Sequence, residues 1–351
     1  AAGHLARAER RLEQCLTRLE REAVEPWLYE GAAGVAWVVA HLLGDEGADL
    51  CAPIDQALAD VLDQTPWSEP FDLIKGVVGV GVYALERGAG RSAKGLIPRV
   101  VARLAEMARR HETGVAWWSN PMWLPARARR THNPDWNTGV AHGAAGVIAL
   151  LGRVLRAGVD VATEAVAREL LGEAVAWLLS QELAEGAVGC FPWAVAPSIA
   201  REPARLAWCA GDLGIAAALW IAARGAREPD WERAAQRVAL RAAQRTEANA
   251  GVVDVGLCHG AAGVAHLFHR LYRQTGDARL ADASRAWFGR VLAMREEGRG
   301  IAGFRAYDPD ARGKLRWRNT AGFLTGAAGV ALALVAATGG DAGWDRALLV
   351  S

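Results

Sequence analysis

The chain has 351 residues, 52% of them hydrophobic, and a formal net charge of +1; this balance argues against nucleic acid as the main partner, since neutralising phosphates takes a clustered cationic face, and the one Arg-rich stretch, 125–130, is short. No uninterrupted apolar run reaches the roughly 18 residues of a spanning helix, and the N-terminal segment is rich in Arg and Glu rather than built like a signal peptide. A chain that is not membrane-spanning and stays in the cytoplasm is expected.

The first predicted element, HLARAERRLEQCLTRLERE, is apolar on one stripe only, the mark of a half-exposed outer helix. It leads to Gly31, the start of the first of six Gly-x-x-Gly steps: Gly31/Gly34, Gly76/Gly79, Gly143/Gly146, Gly211/Gly214, Gly260/Gly263 and Gly326/Gly329. Each step opens a run that is apolar nearly all round, GVAWVVAHLL, GVGVYALE, GVIALLGRVL, GIAAALWIAA, GVAHLFHRLY and GVALALVAA in order, as expected of helices buried on both sides. Between the steps lie amphipathic segments such as AKGLIPRVVARLAEMARR, ATEAVARELLGEAVAWLL, ERAAQRVALRAAQRTE and DASRAWFGRVLAMRE. The first glycines stand 45 to 68 residues apart, room for two helices per unit and hence about twelve in all. Buried helices alternating with amphipathic ones predict an all-α fold, an (α/α)6 barrel of six inner and six outer helices. The repeat spans the chain, so one domain covering 1–351 is expected.

Five cysteines in a chain without export signals do not suggest a disulfide framework. Cys15 falls on the first outer helix, Cys51 in a turn-like connection and Cys190 in the loop GCFPW, and these three read as small buried hydrophobes. Cys209 and Cys258 differ, because each stands two residues before the first glycine of a repeat, in WCAG and LCHG. Equivalent positions of a closed repeat project to one end and toward one axis. The residue directly before that glycine is Glu30, Lys75, His142, Ala210, His259 or Thr325, so polar groups gather at the mouth of an otherwise apolar barrel. Cys209, Cys258 and His259 form a soft Cys2His set suited to Zn²⁺, and three protein ligands leave a fourth position open, as in catalytic rather than structural zinc sites. On spacing alone the alternative stands beside it: two core cysteines and a histidine at a helix start.

With WCAGDLG from Trp208, LCHGAAG from Leu257, AHGAAG from Ala141 and the closing FLTGAAGVALAL followed by WDRALLVS, the chain resembles the lanthionine synthetase C-like family over essentially its whole length. The resemblance implies an α/α toroid with one Zn²⁺ on Cys209, Cys258 and His259. It implies Michael-type addition of cysteine thiols to dehydroalanine or dehydrobutyrine in a precursor peptide, closing thioether rings. It also implies roles for His142 as the acid that protonates the enolate, for Arg205 as the cation on the enolate oxygen, and for Asp72 as the group that orients His142 or relays its proton. The partners it implies are a dehydrated precursor peptide, a separate dehydratase and an exporter. The alternative within the family is addition of an external thiol such as glutathione to dehydroamino acids in proteins. One departure stands out: many members carry tyrosine where this chain has Ala210, so the hydroxyl is absent or supplied elsewhere, by Tyr29 or Tyr307.

Only 45 residues part the first two repeats, too few for an inserted domain, which leaves peptide recognition to the rim. Two long connections are candidates. Residues 111–137 combine tryptophans with arginines, a common anchor for peptide ligands, unless the tryptophans simply pack the loop on the barrel. Residues 184–205 lead directly into Arg205 and Cys209.

Overall fold

The computed structural model describes residues 2–88, 95–120, 135–197, 199–310 and 312–351. Among these, the helices longer than two turns run in chain order as α1 (Ala2–Arg21), α2 (Ala32–Leu43), α3 (Ala48–Leu62), α4 (Val77–Arg87), α5 (Leu96–Met107), α6 (Ala144–Arg156), α7 (Val161–Ser180), α8 (Asp212–Ala226), α9 (Pro229–Ala243), α10 (Ala261–Thr275), α11 (Ala278–Ala293) and α12 (Ala327–Ala337). The even-numbered six follow the glycine steps and pack side by side, α2 on α4, α4 on α6 and so on to α12, while each odd helix from α3 lies against the inner helix before it. This is the predicted arrangement of inner and outer helices. No described helix is long and apolar enough to cross a membrane.

The glycine steps have a steric cause. Every inner helix is preceded by a glycine in extended backbone, with φ between −105° and −155°, which any residue can adopt, so conformational freedom is not the reason. Close approach is. A Cβ on the second glycine of each step would overlap the carbonyl of Leu28, Leu73, Val140, Trp208, Leu257 or Phe323 in turn, six residues upstream each time. The loop folds back onto the helix start, and its carbonyls accept the first helical N–H groups, as in Ala32 to Glu25 at 2.8 Å and Ala261 to Asp254 at 2.9 Å; those groups otherwise lack partners.

The turns before the glycines are stitched to one another around the axis. Tyr29 N–H donates to Ile74 (3.4 Å), Leu73 to Ala141 (3.2 Å), Ala141 to Cys209 (3.0 Å), Cys209 to Cys258 (3.2 Å) and Cys258 to Leu324 (2.8 Å). This collar converts a sequence register into a spatial one. At the remaining joint the Tyr29 hydroxyl donates to the Ala347 carbonyl at 3.1 Å. Ala347 belongs to a 3₁₀ turn, Gly343–Leu348, that fills the bore: Arg346 pairs with Glu86 on α4, Asp345 with His266 on α10, and Arg153 on α6 donates to the Arg346 carbonyl.

Several readings differ from the sequence expectation. Cys15 is exposed on α1 rather than buried, and the inner helices α2 and α12 are not buried all round, leaving Val38, Leu42 and Val335 exposed. Cys51 is not in a turn but on α3, fully buried, with its thiol donating to the Ala36 carbonyl; the proline two residues on, Pro53, disguises the helix. The chain also carries short antiparallel strand pairs: β1 (Arg109–His111) with β2 (Gly114–Ala116), β3 (Trp136–Asn137) with β4 (Ala194–Val195), and β5 (Ala306–Pro309) with β6 (Leu315–Arg318). All three lie in the connections that lead from outer to inner helices.

Candidate metal centre

Cys209 and Cys258 end adjacent segments of the collar. The Cys258 carbonyl accepts from both Trp208 N–H (3.1 Å) and Cys209 N–H (3.2 Å), which holds the two turns edge to edge. The turn before Cys209 is also tied to the bore, where the Trp208 indole donates to the Leu348 carbonyl at 2.8 Å. One sulfur from each cysteine and one ring nitrogen of His259 lie within 4.8 Å of one another, and all three residues are half-buried. Soft donors at this spacing match the needs of Zn²⁺. Among the described residues no fourth His, Cys, Asp or Glu joins the three; Asp254 and Asp308 form a second group that shares only His259.

The sulfurs are electrostatically unequal. The Cys209 thiol is lowered to about 4, first by a hydrogen bond from Cys258 and then by His259 and Arg205, against the opposing effect of burial. Cys258 is pushed up by the Cys209 sulfur beside it and by burial. Two thiols in contact share one proton, and the first to ionise makes the second harder to ionise. His259 is raised chiefly by its hydrogen bond to Cys209. The inner helices all begin at this end, so their positive dipole ends converge on the mouth and favour anions there.

His142 sits in the same register as His259. Its Nδ1 is 2.6 Å from Asp72 Oδ2, and the other Asp72 oxygen accepts from Lys75 N–H at 2.7 Å. Asp72 is therefore both a turn cap and the partner of the histidine, with half of the His142 side chain open to the mouth. Burial lowers the His142 pKa, but the bond to Asp72 outweighs it and the net shift is upward. Arg205 is exposed and makes its influence felt on both sulfurs and on His259.

Of the two tyrosines that are candidates to replace the hydroxyl missing at Ala210, Tyr29 has its own hydroxyl engaged. Tyr29 bonds to Ala347 in the bore, and burial, followed by the nearby Cys258, raises its pKa well above the ordinary value. Tyr307 lies on β5 with its ring against Trp317, 5.3 Å between centroids.

The rim connections divide. In 111–137, Trp117 is buried and donates to the Leu104 carbonyl, Trp136 packs edge-on against His111, and Trp118 is exposed; Trp123 and the arginines of 125–130 lie outside the described residues. In 184–205 the buried Asp212, at the start of α8, accepts from Cys190 N–H and Phe191 N–H at 3.0 Å each, which pins this loop to the start of α8. The sequence reading passed over Asp254 and the β5–β6 hairpin, which stand beside His259. The alternation AYDP and LRWR about an Asp-Ala-Arg-Gly turn is the signal that marks the hairpin.

The sequence matches the family described as Lanthionine synthetase C-like protein over residues 3–349. Among solved structures, the fold is similar to that of a protein titled "Nisin cyclase", with a TM-score of 0.75 at 17% identity, covering 97% of this chain and 84% of that one. It is similar more distantly to a sugar epimerase from a ruminal bacterium, with a TM-score of 0.51 at 11% identity, covering 76% of each chain. No curated protein matches the sequence.

Proposed function

Since the chain belongs to the lanthionine synthetase C-like family, we propose that it is a zinc-dependent lanthipeptide cyclase that adds cysteine thiols of a dehydrated precursor peptide to dehydroalanine or dehydrobutyrine in the same peptide, forming (methyl)lanthionine rings. The observation that carries this reading is the convergence of Cys209, Cys258 and His259 within 4.8 Å at the barrel mouth. A Zn²⁺ bound by these three would supply the positive charge that strips the proton from an incoming thiol and keeps its sulfur a thiolate.

The chain's own residues would handle the carbon side of the reaction. Attack of sulfur on the β-carbon of the alkene moves an electron pair onto the carbonyl oxygen, so the enolate needs a cation at oxygen and then a proton at the α-carbon. Arg205, exposed at the mouth and acting on the same sulfurs, is the cation. His142 is the acid: Asp72 takes its Nδ1, which leaves Nε2 to deliver the proton. Asp72 keeps that ring charged and aimed. The exposed Trp118, whose neighbour Ser119 donates to the His142 carbonyl at 3.4 Å, and the loop 184–205 that leads into Arg205 would receive the peptide.

In this reading one barrel domain performs the whole reaction, in the cytoplasm, where thiols stay reduced. A separate dehydratase must supply the dehydroamino acids, and an exporter would remove the product. A peptide carrying one cysteine and one dehydroalanine tests the proposal and its alternative together. Cyclisation consumes the alkylatable thiol with no change of mass, whereas addition of glutathione raises the mass by that of the added thiol. If the zinc-loaded protein accelerates neither, the reading fails.

A further inference from the structure

Asp254 is buried to 1% exposure at the mouth of the barrel, where a carboxylate is costly unless its oxygens are used. One oxygen, Oδ1, accepts from Gly256 N–H at 3.2 Å, inside the turn that carries Cys258 and His259. The other, Oδ2, accepts from Tyr307 N–H on β5 at 2.8 Å, and lies 4.0 Å from Nε2 of His259. At that distance the contact with the ring is electrostatic rather than a hydrogen bond. An imidazole has two nitrogens, and only the unprotonated one can bind a metal. A fixed negative oxygen near Nε2 favours the proton there and leaves the Nδ1 lone pair as the one free to bind a metal.

The geometry points to Asp254 as a positioning residue for the metal centre: it holds His259 in the tautomer that presents Nδ1 to the metal, and through Tyr307 N–H it locks the β5–β6 hairpin to the same ring. This rests on the metal reading of Cys209, Cys258 and His259. Asp308 belongs to the same group of donors, but it is half-buried on the hairpin and no backbone N–H of the described residues is bonded to its carboxylate, whereas both Asp254 oxygens are held by amides. Rigidity assigns the role to Asp254. Carboxylates behind a metal-binding histidine commonly tune affinity in this way.

The test uses the full chain and zinc alone. Competition against a chromogenic chelator measures affinity for the wild type, Asp254→Asn and Asp308→Asn. Loss of about 10- to 100-fold is expected for Asp254→Asn, with Asp308→Asn close to wild type. Nitrogen-15 NMR of histidine-labelled, zinc-loaded wild type should show His259 protonated at Nε2, a signature that a merely structural role for Asp254 would not demand. Wild-type affinity in Asp254→Asn, or a His259 protonated at Nδ1, overturns the inference while the metal reading survives. A wild type that binds no zinc sinks both. Should Asp254→Asn fail to fold, the tautomer in the wild-type protein still decides.

Discussion

The mouth and the bore of the barrel both gather charged and polar groups, and they treat them in opposite ways. In the bore, Asp345 meets His266 Nε2 and Arg270 Nε at 2.9 Å each and the Ser351 hydroxyl at 2.5 Å, and Arg346 forks onto Glu86, which His41 also contacts. Arg346 outweighs burial and holds Glu86 below the usual carboxylate range. Asp345 and Glu86 are each paired, and the cluster fastens the closing turn to the inner helices. At the mouth, two sulfurs crowd together and share what one proton and one imidazole can offer. The same fold pairs carboxylates with cations in the bore and gathers thiols and imidazoles of like demand at the mouth.

The sharpest way to break this comparison is to remove one sulfur. Cys258→Ala should take zinc from about one per chain to none by metal analysis, because two remaining ligands do not hold the ion, and ring formation should stop with it. Retained metal would show that the ion, if any, sits elsewhere. In the bore the matching change is Asp345→Ala, which strands His266 and Arg270. Breaking a buried charge pair costs about 3–5 kcal/mol, to be read as a fall in melting temperature and denaturation midpoint. An unchanged midpoint would mean that the bore charges fasten nothing.

His142 stands between these cases, since it is paired yet open to the cleft. His142→Ala should leave zinc bound and slow ring formation by about 10²-fold or more if it is the acid; an unchanged rate would reassign the proton donor. The pH dependence follows from the upward shift that Asp72 imposes. The acid form is lost as pH rises through that raised value, so the rate falls on the alkaline side, and Asp72→Asn should bring that fall to lower pH. The pair's contribution to stability has the same sign: it is present in full below the unfolded histidine's pKa of about 6.5 and lost as pH rises through the folded value. A profile that does not move in Asp72→Asn would leave the aspartate with its turn-capping role alone.

What could be read in the sequence was whatever the repeat enforces. Cys209 and Cys258 are 49 positions apart in the chain, and they could be placed together because both occupy the same register of a collar whose turns bond to one another. The inner helices were legible because they are apolar over most of their length: α4, α6 and α8 are buried nearly all round, although α2 and α12 leave Val38, Leu42 and Val335 exposed. Contacts that obey no repeat were not legible. Asp254 meets Tyr307 through a hairpin that belongs to one connection only, and α3 hides its helical period behind Pro53 and scattered acids. The tail WDRALLVS was a recognisable string, but nothing in its composition says that Trp344 stacks on His266 or that Leu349 and Val350 are buried in the bore.

Glycine separates the two environments with the smallest change. At Gly214 an added Cβ would overlap the Trp208 carbonyl, one residue from the cysteine, so Gly214→Ala must push the turn off α8; both stability and zinc affinity should fall, and a melt with metal titration would register the two together. Gly289, exposed on α11, has no atom within 4 Å of the position a Cβ would take, and its φ is not in the left-handed region. There the only effects are helix propensity and the entropy of the unfolded chain, both of which favour alanine. Gly289→Ala should therefore raise stability by about 0.5–1 kcal/mol and leave zinc untouched. A destabilised Gly289→Ala would contradict the open space at this position, because among the described residues nothing opposes the methyl group.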